Sequence, residues 1–233
     1  EVQEKQLQTQ CQTLTERLRP LLTDWPHDMP VQSANFTLGQ TELQAQWADG
    51  DAVWKQNNQR TACLQIDVRA GSVVEGKIKH RVPRVHTLTD VWVSHLLSCA
   101  SGLHTTSIQV GLNGAVQIDA IDDTTALAHL QALVDAYQAA WQQPLPVARH
   151  AACAYLMSKQ NSELNPLETA EQAFVGNARQ PGELARSEHL KRAFDGFEAI
   201  ASGLPVWAQR LYGPMVEAAH LLVNEDEAEG EAA

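Results

Sequence analysis

The stretch TLTDVWVSHLLSCASGLHTTSIQVGLNGAVQI, residues 87–118, carries a helix signal followed at once by a hairpin signal. Thr87 with Asp90 three residues later is typical of a capping box, and apolar residues then recur at helical spacing as far as Gly102. After Gly102 apolar residues alternate on both sides of Asn113-Gly114, the dipeptide that most strongly indicates a tight hairpin turn. This stretch therefore predicts a helix followed by two antiparallel strands.

The sequence on both sides extends this pattern to a mixed domain. Helical periodicity predicts a helix over residues 1–24. Apolar alternation predicts a sheet region over 33–119, which begins with a hairpin that turns at Gly39 and contains a helix at 88–101. From 122 to 222 the pattern is helical. The order predicts one α/β domain over residues 1–222, with a mixed sheet flanked by helices and a helical C-terminal part.

Charge and composition exclude some classes of protein. The 233 residues are 44% hydrophobic, enough for a sizeable core, and the net charge of −11 argues against a general nucleic-acid coat protein. Five acids lie in the final segment VNEDEAEGEAA, residues 223–233, which has no apolar periodicity. We expect this segment to be a disordered acidic tail, which is either simply solvated or an interaction tail.

The cysteines and the apolar runs indicate a cytoplasmic protein. Cys11, Cys63, Cys99 and Cys153 are widely spaced with no CxxC motif, which fits reduced thiols. No apolar run approaches the roughly 18–20 residues that span a membrane, and no signal segment opens the sequence. Because the chain begins with Glu1 rather than Met, we expect it to be a C-terminal piece of a longer protein.

A candidate nuclease site lies in the stretch 64–82. If this stretch is a hairpin that turns at Gly71, Asp67 lies opposite Glu75 with the two Cβ atoms roughly 5 Å apart. Lys77 shares that face because it is two residues from Glu75. Metal-dependent nucleases use two carboxylates to hold a divalent ion and a lysine to orient the attacking water. The spacing thus permits a catalytic set of Asp67, Glu75 and Lys77.

The same spacing also fits a hairpin without chemistry. Asp67, Arg69, Glu75 and Lys77 would then form the polar side of an amphipathic hairpin and pair across the two strands. An acid followed by acid-x-lysine is a very short pattern. Both interpretations therefore stay open.

Basic residues cluster in the same region, between Arg69 and His86, where Glu75 is the only acid. The cluster consists of Arg69, Lys77, Lys79, Arg81 and Arg84. Such a stripe suits contact with DNA phosphates. Lysines on an exposed edge strand also prevent aggregation, so a plain edge strand is the alternative.

Two further features lie outside that region. His95 and Cys99, four residues apart, could share a zinc ion, but both lie on the apolar side of their helix, which favours two core residues. No nucleotide-binding or nucleophile motif occurs, and no metal or cofactor is expected. Near the C-terminus a group of apolar residues predicts a contact patch for a partner: Leu204, Val206, Trp207, Leu211 and Met215.

Several segments of the sequence resemble a known family. VWVSHLLSCASG (91–102) and LQALVDAYQAAWQQPLPVARHAACAYL (130–156) resemble the C-terminal domain of RecC, the gamma chain of exodeoxyribonuclease V. EHLKRAFDG (188–196) and RLYGPMVEAA (210–219) resemble the closing elements of that family. The resemblance covers essentially the whole chain, and the region 48–87 matches least well.

The resemblance implies a restriction-endonuclease-like (PD-(D/E)XK nuclease-like) fold without a working catalytic site. It implies a non-catalytic domain of the RecBCD helicase–nuclease complex in recombinational double-strand break repair, where it contributes subunit contacts and splits or guides DNA strands. The implied partners are the beta chain RecB, the alpha chain RecD, and forked or single-stranded DNA. An active Mg²⁺-dependent nuclease using Asp67, Glu75 and Lys77 is the first alternative, and a purely protein-binding adaptor is the second.

Overall fold

The computed structural model describes residues 2–48, 52–57, 60–76, 80–177 and 179–222. The chain divides into two compact units. The first unit consists of Glu1–Leu130 together with Ala218–Ala233, and the second consists of Gln131–Glu217. The predicted acidic tail, residues 223–233, lies outside the described residues.

The first unit contains most of the strands. Its elements in chain order are α1 (Val2–Leu22), β1 (His27–Asp28), β2 (Gln32–Leu38), β3 (Thr41–Trp47), β4 (Ala52–Asn57), β5 (Arg60–Val68), β6 (Val74–Glu75), β7 (Val82–Pro83), α2 (Thr89–Ala100), β8 (His104–Gly111), β9 (Gly114–Ile118), the beginning of α3 (Asp123–Ala140) and β10 (Ala219–Leu222).

A six-stranded sheet organises this unit, with the strand order β1-β4-β5-β8-β9-β10. β5 and β8 are parallel, whereas the other neighbours are antiparallel. The prediction of an α/β protein with a mixed sheet is confirmed. The helical part predicted over 122–222 differs at its end, because Ala219–Leu222 pairs with β9 as an edge strand.

The two predicted short hairpins are confirmed. β2 and β3 form a separate two-stranded ribbon around the turn at Gly39, whose φ is +63°, and β8 and β9 join through Asn113-Gly114. Gly39 suits this turn because it adopts a positive φ without a Cβ clash.

The predicted hairpin over 64–82 is wrong. Residues 62–68 pair in parallel with residues 104–110, and β4 occupies the other side of β5. β6 pairs instead with β7 in a small sheet of its own. β8 lies along one edge of β5 over residues 62–68 and β4 lies along the other over residues 60–65, while Val74 and Glu75 pair with β7 rather than with β5.

The sheet has an apolar face and a polar face around its centre. On one face Leu64, Ile108 and Val110 are buried in a cluster that includes leucines of α1. Residues 63, 65 and 67 alternate to the other face, where Ser94 and His95 of α2 contact the sheet. The central strands therefore lie between α1 and α2.

The helix starts were predicted in part. Asp122 accepts hydrogen bonds from the backbone and hydroxyl of Thr125, as expected of a residue that caps α3. The predicted capping box at Thr87 is wrong. A 3-10 turn, Val85–Thr87, leads into α2, and the Thr87 hydroxyl bonds to Arg84 and Gln109 instead.

The regular elements described in the second unit are helices, and loops and an isolated β-bridge between Gly176 and Pro181 connect them. After the end of α3 its elements are α4 (Arg149–Ser158), α5 (Pro166–Val175), α6 (Glu183–Arg186), α7 (Glu188–Ala193), α8 (Glu198–Ala201) and α9 (Leu204–Ala218). Asn165 caps α5 through its side chain, and Pro166 occupies the first helical position.

The predicted contact patch near the C-terminus is divided between core and surface. Leu204 and Met215 are fully buried, whereas Val206 is 68% exposed. Tyr137 and Trp141, which keep the apolar period of α3, are also mostly exposed and contact each other edge to face. These exposed apolar residues lie in the second unit and remain candidates for a partner surface.

α4 begins without a capping side chain of its own, because its N-cap residue is Ala148. Glu183 of α6 supplies the missing acceptor, since its Oε2 accepts hydrogen bonds from the backbone N–H groups of His150 and Ala151 at 2.8 and 3.3 Å. Burial raises the pKa of Glu183, although these two bonds oppose the shift. The carboxylate therefore joins α4 to α6 across a long stretch of chain.

We predict that Glu183→Ala destabilises the protein by about 1–3 kcal/mol, because it leaves helix N–H groups without an acceptor. Glu183→Gln retains a carbonyl acceptor and should cost less. Urea denaturation followed by circular dichroism measures both changes. Glu188→Ala, at an exposed position in α7, is the control and should change stability far less. Equal stability of the alanine variant and the parent would contradict the capping role.

Candidate functional site

A layer of polar side chains fills the space between α2 and the centre of the sheet. Several of these side chains are nearly inaccessible to solvent: Gln65, His95, Ser98, Thr105, Ser107 and Gln109. The register of β5 against β8 brings these polar side chains together, because it places Cys63 beside Thr105, Gln65 beside Ser107 and Asp67 beside Gln109. Each position thus has a polar neighbour on the adjacent strand.

Asp67 lies at the end of this layer and is held by an amide. Gln109 Nε2 donates to Asp67 Oδ2 at 2.8 Å and to the Thr87 carbonyl oxygen at 3.1 Å. The Thr87 hydroxyl donates to Gln109 Oε1 at 2.6 Å. Gln109 therefore satisfies its own polar atoms while it fixes the Asp67 carboxylate in the sheet.

The centre of the layer consists of neutral groups. His95 Nδ1 lies 3.0 Å from Ser107 Oγ, and His95 Nε2 lies 3.6 Å from Cys99 Sγ. Burial lowers the pKa of His95 from 6.5 to about 4, which keeps the ring neutral. Burial also raises the pKa of Cys99. The prediction that His95 and Cys99 are core residues is confirmed.

Glu75 belongs to a different strand pair from Asp67. It lies in β6, and its carboxylate is 3.5 Å from Arg84 Nε, with both side chains substantially exposed. Asn113 holds the segment before it: Asn113 Oδ1 accepts from the N–H groups of Val73 and Val74, and its Nδ2 donates to the Val74 carbonyl. The β8–β9 turn thus fixes the course of the chain between Asp67 and Glu75.

The predicted basic stripe is described only in part. Lys77 and Lys79 lie outside the described residues. Arg69 is exposed, and its Nη1 donates to the Thr87 carbonyl at 3.0 Å. Arg84 bonds to the Ser72 carbonyl and pairs with Glu75, while Arg81 is partly buried. Arg69 and Arg84 are therefore tethered to backbone carbonyls in the same region.

Metal ligands do not gather in the described part of the chain: no three His, Cys, Asp or Glu side chains form a group that could hold an ion. The side chains that the sequence proposes for such a group, Asp67 and Glu75, have the protein partners Gln109 and Arg84.

A cleft of about 660 Å³ opens beside Asp67. Its walls are residues 44–47 of β3, residues 65–67 of β5, and the part of α2 from Asp90 to Leu97. Asp67 and Asp90 are the charged residues of this lining, and amide, hydroxyl, aliphatic and indole side chains make up the rest. All of these elements belong to the first unit.

A family model, the RecC C-terminal domain, matches residues 1–160 of this sequence. This match spans more than half of the 233 residues and includes the whole polar layer and the cleft. The chain belongs to the RecC C-terminal domain family. No curated protein sequence matches it significantly.

Membership of the RecC family identifies the chain as part of a RecBCD-type subunit that acts in DNA repair and recombination. The resemblance to this family is therefore confirmed over residues 1–160, whereas the stretches 188–196 and 210–219 lie outside the match. Among the described helices, none combines the length and apolar character that crossing a membrane requires.

Sequence reasoning missed the amides and hydroxyls of the polar layer. The signal was present in HTTSIQV, residues 104–110, where the polar residues Thr105, Ser107 and Gln109 alternate with the half-buried Thr106 and the apolar Ile108 and Val110. Such alternation is typical of a strand with one solvated face, so it does not distinguish a buried polar layer from a surface.

We predict that the pKa of His95 makes stability depend on pH. The unfolded chain binds a proton near pH 6.5 and the folded chain only near pH 4, so stability is complete above 6.5 and falls as the pH drops toward 4. The loss should reach about 3 kcal/mol. Urea denaturation at several pH values should show a shallower dependence in His95→Asn than in the parent.

His104→Asn is the matched control, because His104 is an exposed histidine at the start of β8. It should retain the pH dependence of the parent. An identical pH dependence in His95→Asn and the parent would show that His95 titrates normally.

Proposed function

We propose that this domain is a non-catalytic, restriction-endonuclease-like module of a RecBCD-type helicase–nuclease, where it provides subunit contacts and guides or splits DNA strands. One observation carries the proposal: the two candidate carboxylates belong to separate strand pairs, and each is engaged by a protein side chain. RecB, RecD and forked or single-stranded DNA are the proposed partners, and the cytoplasm is the proposed location.

Metal-dependent phosphodiester hydrolysis needs carboxylate oxygens that are free to bind Mg²⁺ in near-octahedral geometry. In this chain Gln109 donates to Asp67, and Glu75 pairs with Arg84. Recruitment of both acids by one ion would require Glu75 to leave Arg84. These contacts support an inert site over the active alternative.

The nuclease-like fold is proposed on the topology of the first unit. Its mixed sheet has a parallel central pair, β5 and β8, that lies between α1 and α2. Asp67 lies near the end of the first of these strands. We further propose that residues 1–222 act together as one domain of the larger subunit.

A role in DNA handling is supported by the basic region around β6 and β7. Arg69 and Arg84 are tethered to backbone carbonyls, which fixes where their positive charges lie. With Arg81, Lys77 and Lys79 they place five cations within sixteen residues of a chain that is otherwise acidic. A local concentration of this kind suits phosphate contacts that position a strand without reading its sequence.

We predict that the chain does not cleave single- or double-stranded DNA in Mg²⁺ or Mn²⁺, because its acids are already engaged. Incubation with end-labelled DNA and denaturing gel electrophoresis measures cleavage, with an active metal-dependent nuclease as the positive control. Cleavage that disappears in Asp67→Asn, Glu75→Gln and Lys77→Ala would establish the active alternative and reject our proposal.

We also predict that replacing Lys77, Lys79 and Arg81 with alanine weakens forked-DNA binding by the assembled complex. Each lost phosphate contact should reduce the slope of log affinity against log salt by roughly 0.7–0.9. Titrations at several salt concentrations give both quantities. The control replaces the exposed Lys159, Lys191 and Arg192 of the second unit.

Unchanged affinity and slope in the triple variant would assign its residues to a solubilising edge. If assembly with the partner subunits were still intact in that case, the purely protein-binding adaptor would become the better description.

A further inference from the structure

The cleft beside Asp67 has a strand edge as one wall. Four successive residues of β3, Gln44 to Trp47, line it, and β3 pairs with β2 on one side only within the described sheets. β2 contains no charged residue, and β3 contains only Glu42. An uncharged strand edge of this length is suited to pairing with another strand.

The register of the ribbon shows which backbone groups point into the cleft. Leu38 and Thr41 flank a two-residue turn and therefore form a hydrogen-bonded pair. Hydrogen-bonded and non-hydrogen-bonded pairs then alternate along the ribbon. Glu42, Gln44 and Gln46 belong to non-hydrogen-bonded pairs, so their backbone N–H and C=O groups point away from β2. Two of these three residues line the cleft.

The opposite walls supply charge and apolar surface. Asp67 and Asp90 are acidic, and the lining contains no basic residue. Asp90 makes no side-chain hydrogen bond or ion pair within the described part of the chain, and Asp67 accepts only from Gln109 there. Val93 and Leu97, one helical turn apart on α2, also line the cleft, and Val93 is 41% exposed. The cleft thus combines negative charge with uncovered aliphatic surface.

We propose that this cleft binds an extended peptide segment of a partner subunit, in which basic and aliphatic residues alternate, by adding it as a strand to β3. Four residues of such a strand extend roughly 13 Å and match the four residues of β3 that line the cleft. The peptide's ammonium or guanidinium groups pair with Asp67 and Asp90, and its aliphatic residues cover Val93 and Leu97.

The charge of the cleft excludes the chain's own acidic tail as the occupant. That tail carries five acids and no basic residue, so Asp67 and Asp90 would repel it. The proposal rests on the proposed function in one respect: Asp67 can pair with a peptide cation because it is not used to hold a metal ion.

The test uses the full chain and the peptide Val-Lys-Val-Lys-Val-amide with fluorescein attached to its N-terminus, which leaves both lysines charged, and fluorescence anisotropy is the readout. We expect saturable binding, and affinity lower by on the order of tenfold for the matching peptide with Glu in place of Lys. Asp90→Asn should weaken binding by about twofold to fivefold, as expected of an exposed ion pair.

Gln46→Pro tests the backbone pairing. It removes an N–H that points into the cleft and leaves the β2–β3 hydrogen bonds intact, so affinity should fall by roughly tenfold or more. Asn35→Pro is the matched control, because its N–H points to the opposite edge of the same ribbon, and its affinity should stay within about twofold of the parent. Circular dichroism melting verifies that both variants are folded.

Absence of saturable binding, equal affinity for the Lys and Glu peptides, or equal effects of Gln46→Pro and Asn35→Pro would overturn the proposal. None of these results bears on DNA cleavage, which is measured separately. Cleavage by the chain would reject the proposed function, whereas peptide binding that fails in a chain without nuclease activity would reject only the strand-addition site.

Discussion

The parallel pairing of β5 with β8 is the contact on which the rest of the first unit depends. It brings residues 62–68 beside 104–110, so their polar side chains form one layer that faces α2. A buried polar group is costly unless it is hydrogen-bonded, and each residue of this layer finds a partner on the neighbouring strand or on the helix. A shift of the β5–β8 register by one residue would separate the cross-strand pairs Gln65–Ser107 and Asp67–Gln109. The hydrogen bonds of the layer therefore fix both the register of β5 against β8 and the position of α2 on the sheet.

The same layer supports the proposal that Asp67 serves recognition rather than hydrolysis. Its carboxylate is oriented by Gln109, which is itself fixed by Thr87. A carboxylate held in this way is a positioned negative charge at the border of the cleft. Glu75 is separated from it by a segment that Asn113 ties to the β8–β9 turn.

Local signals in the sequence were sufficient to predict the elements that depend on neighbouring residues. Asn113-Gly114 and the alternation around Gly39 placed two hairpins correctly. The error over 64–82 came from the same logic, because the turn-rich sequence near Gly71 also looks like a hairpin. The true partner of β5 lies about forty residues further along the chain, beyond α2. Alternation alone identifies a strand but does not identify its neighbour. Asp67 could thus be recognised as a functional candidate, while Gln109, Asp90 and the edge of β3 that no described strand covers required the fold.

The position of β10 has a consequence for how the protein is made. Ala219 pairs with Ile118, so the sheet of the first unit gains its last strand only after the whole second unit has been synthesised. Until then β9 lacks a neighbour on one side, and a nascent chain on the ribosome carries an incomplete β-sheet. Pairing of such long range is slow to form, because the entropy of closing the intervening chain must be overcome first. Translation pauses or truncations shortly before residue 219 would therefore leave the ribosome-bound domain open to chaperones and proteases.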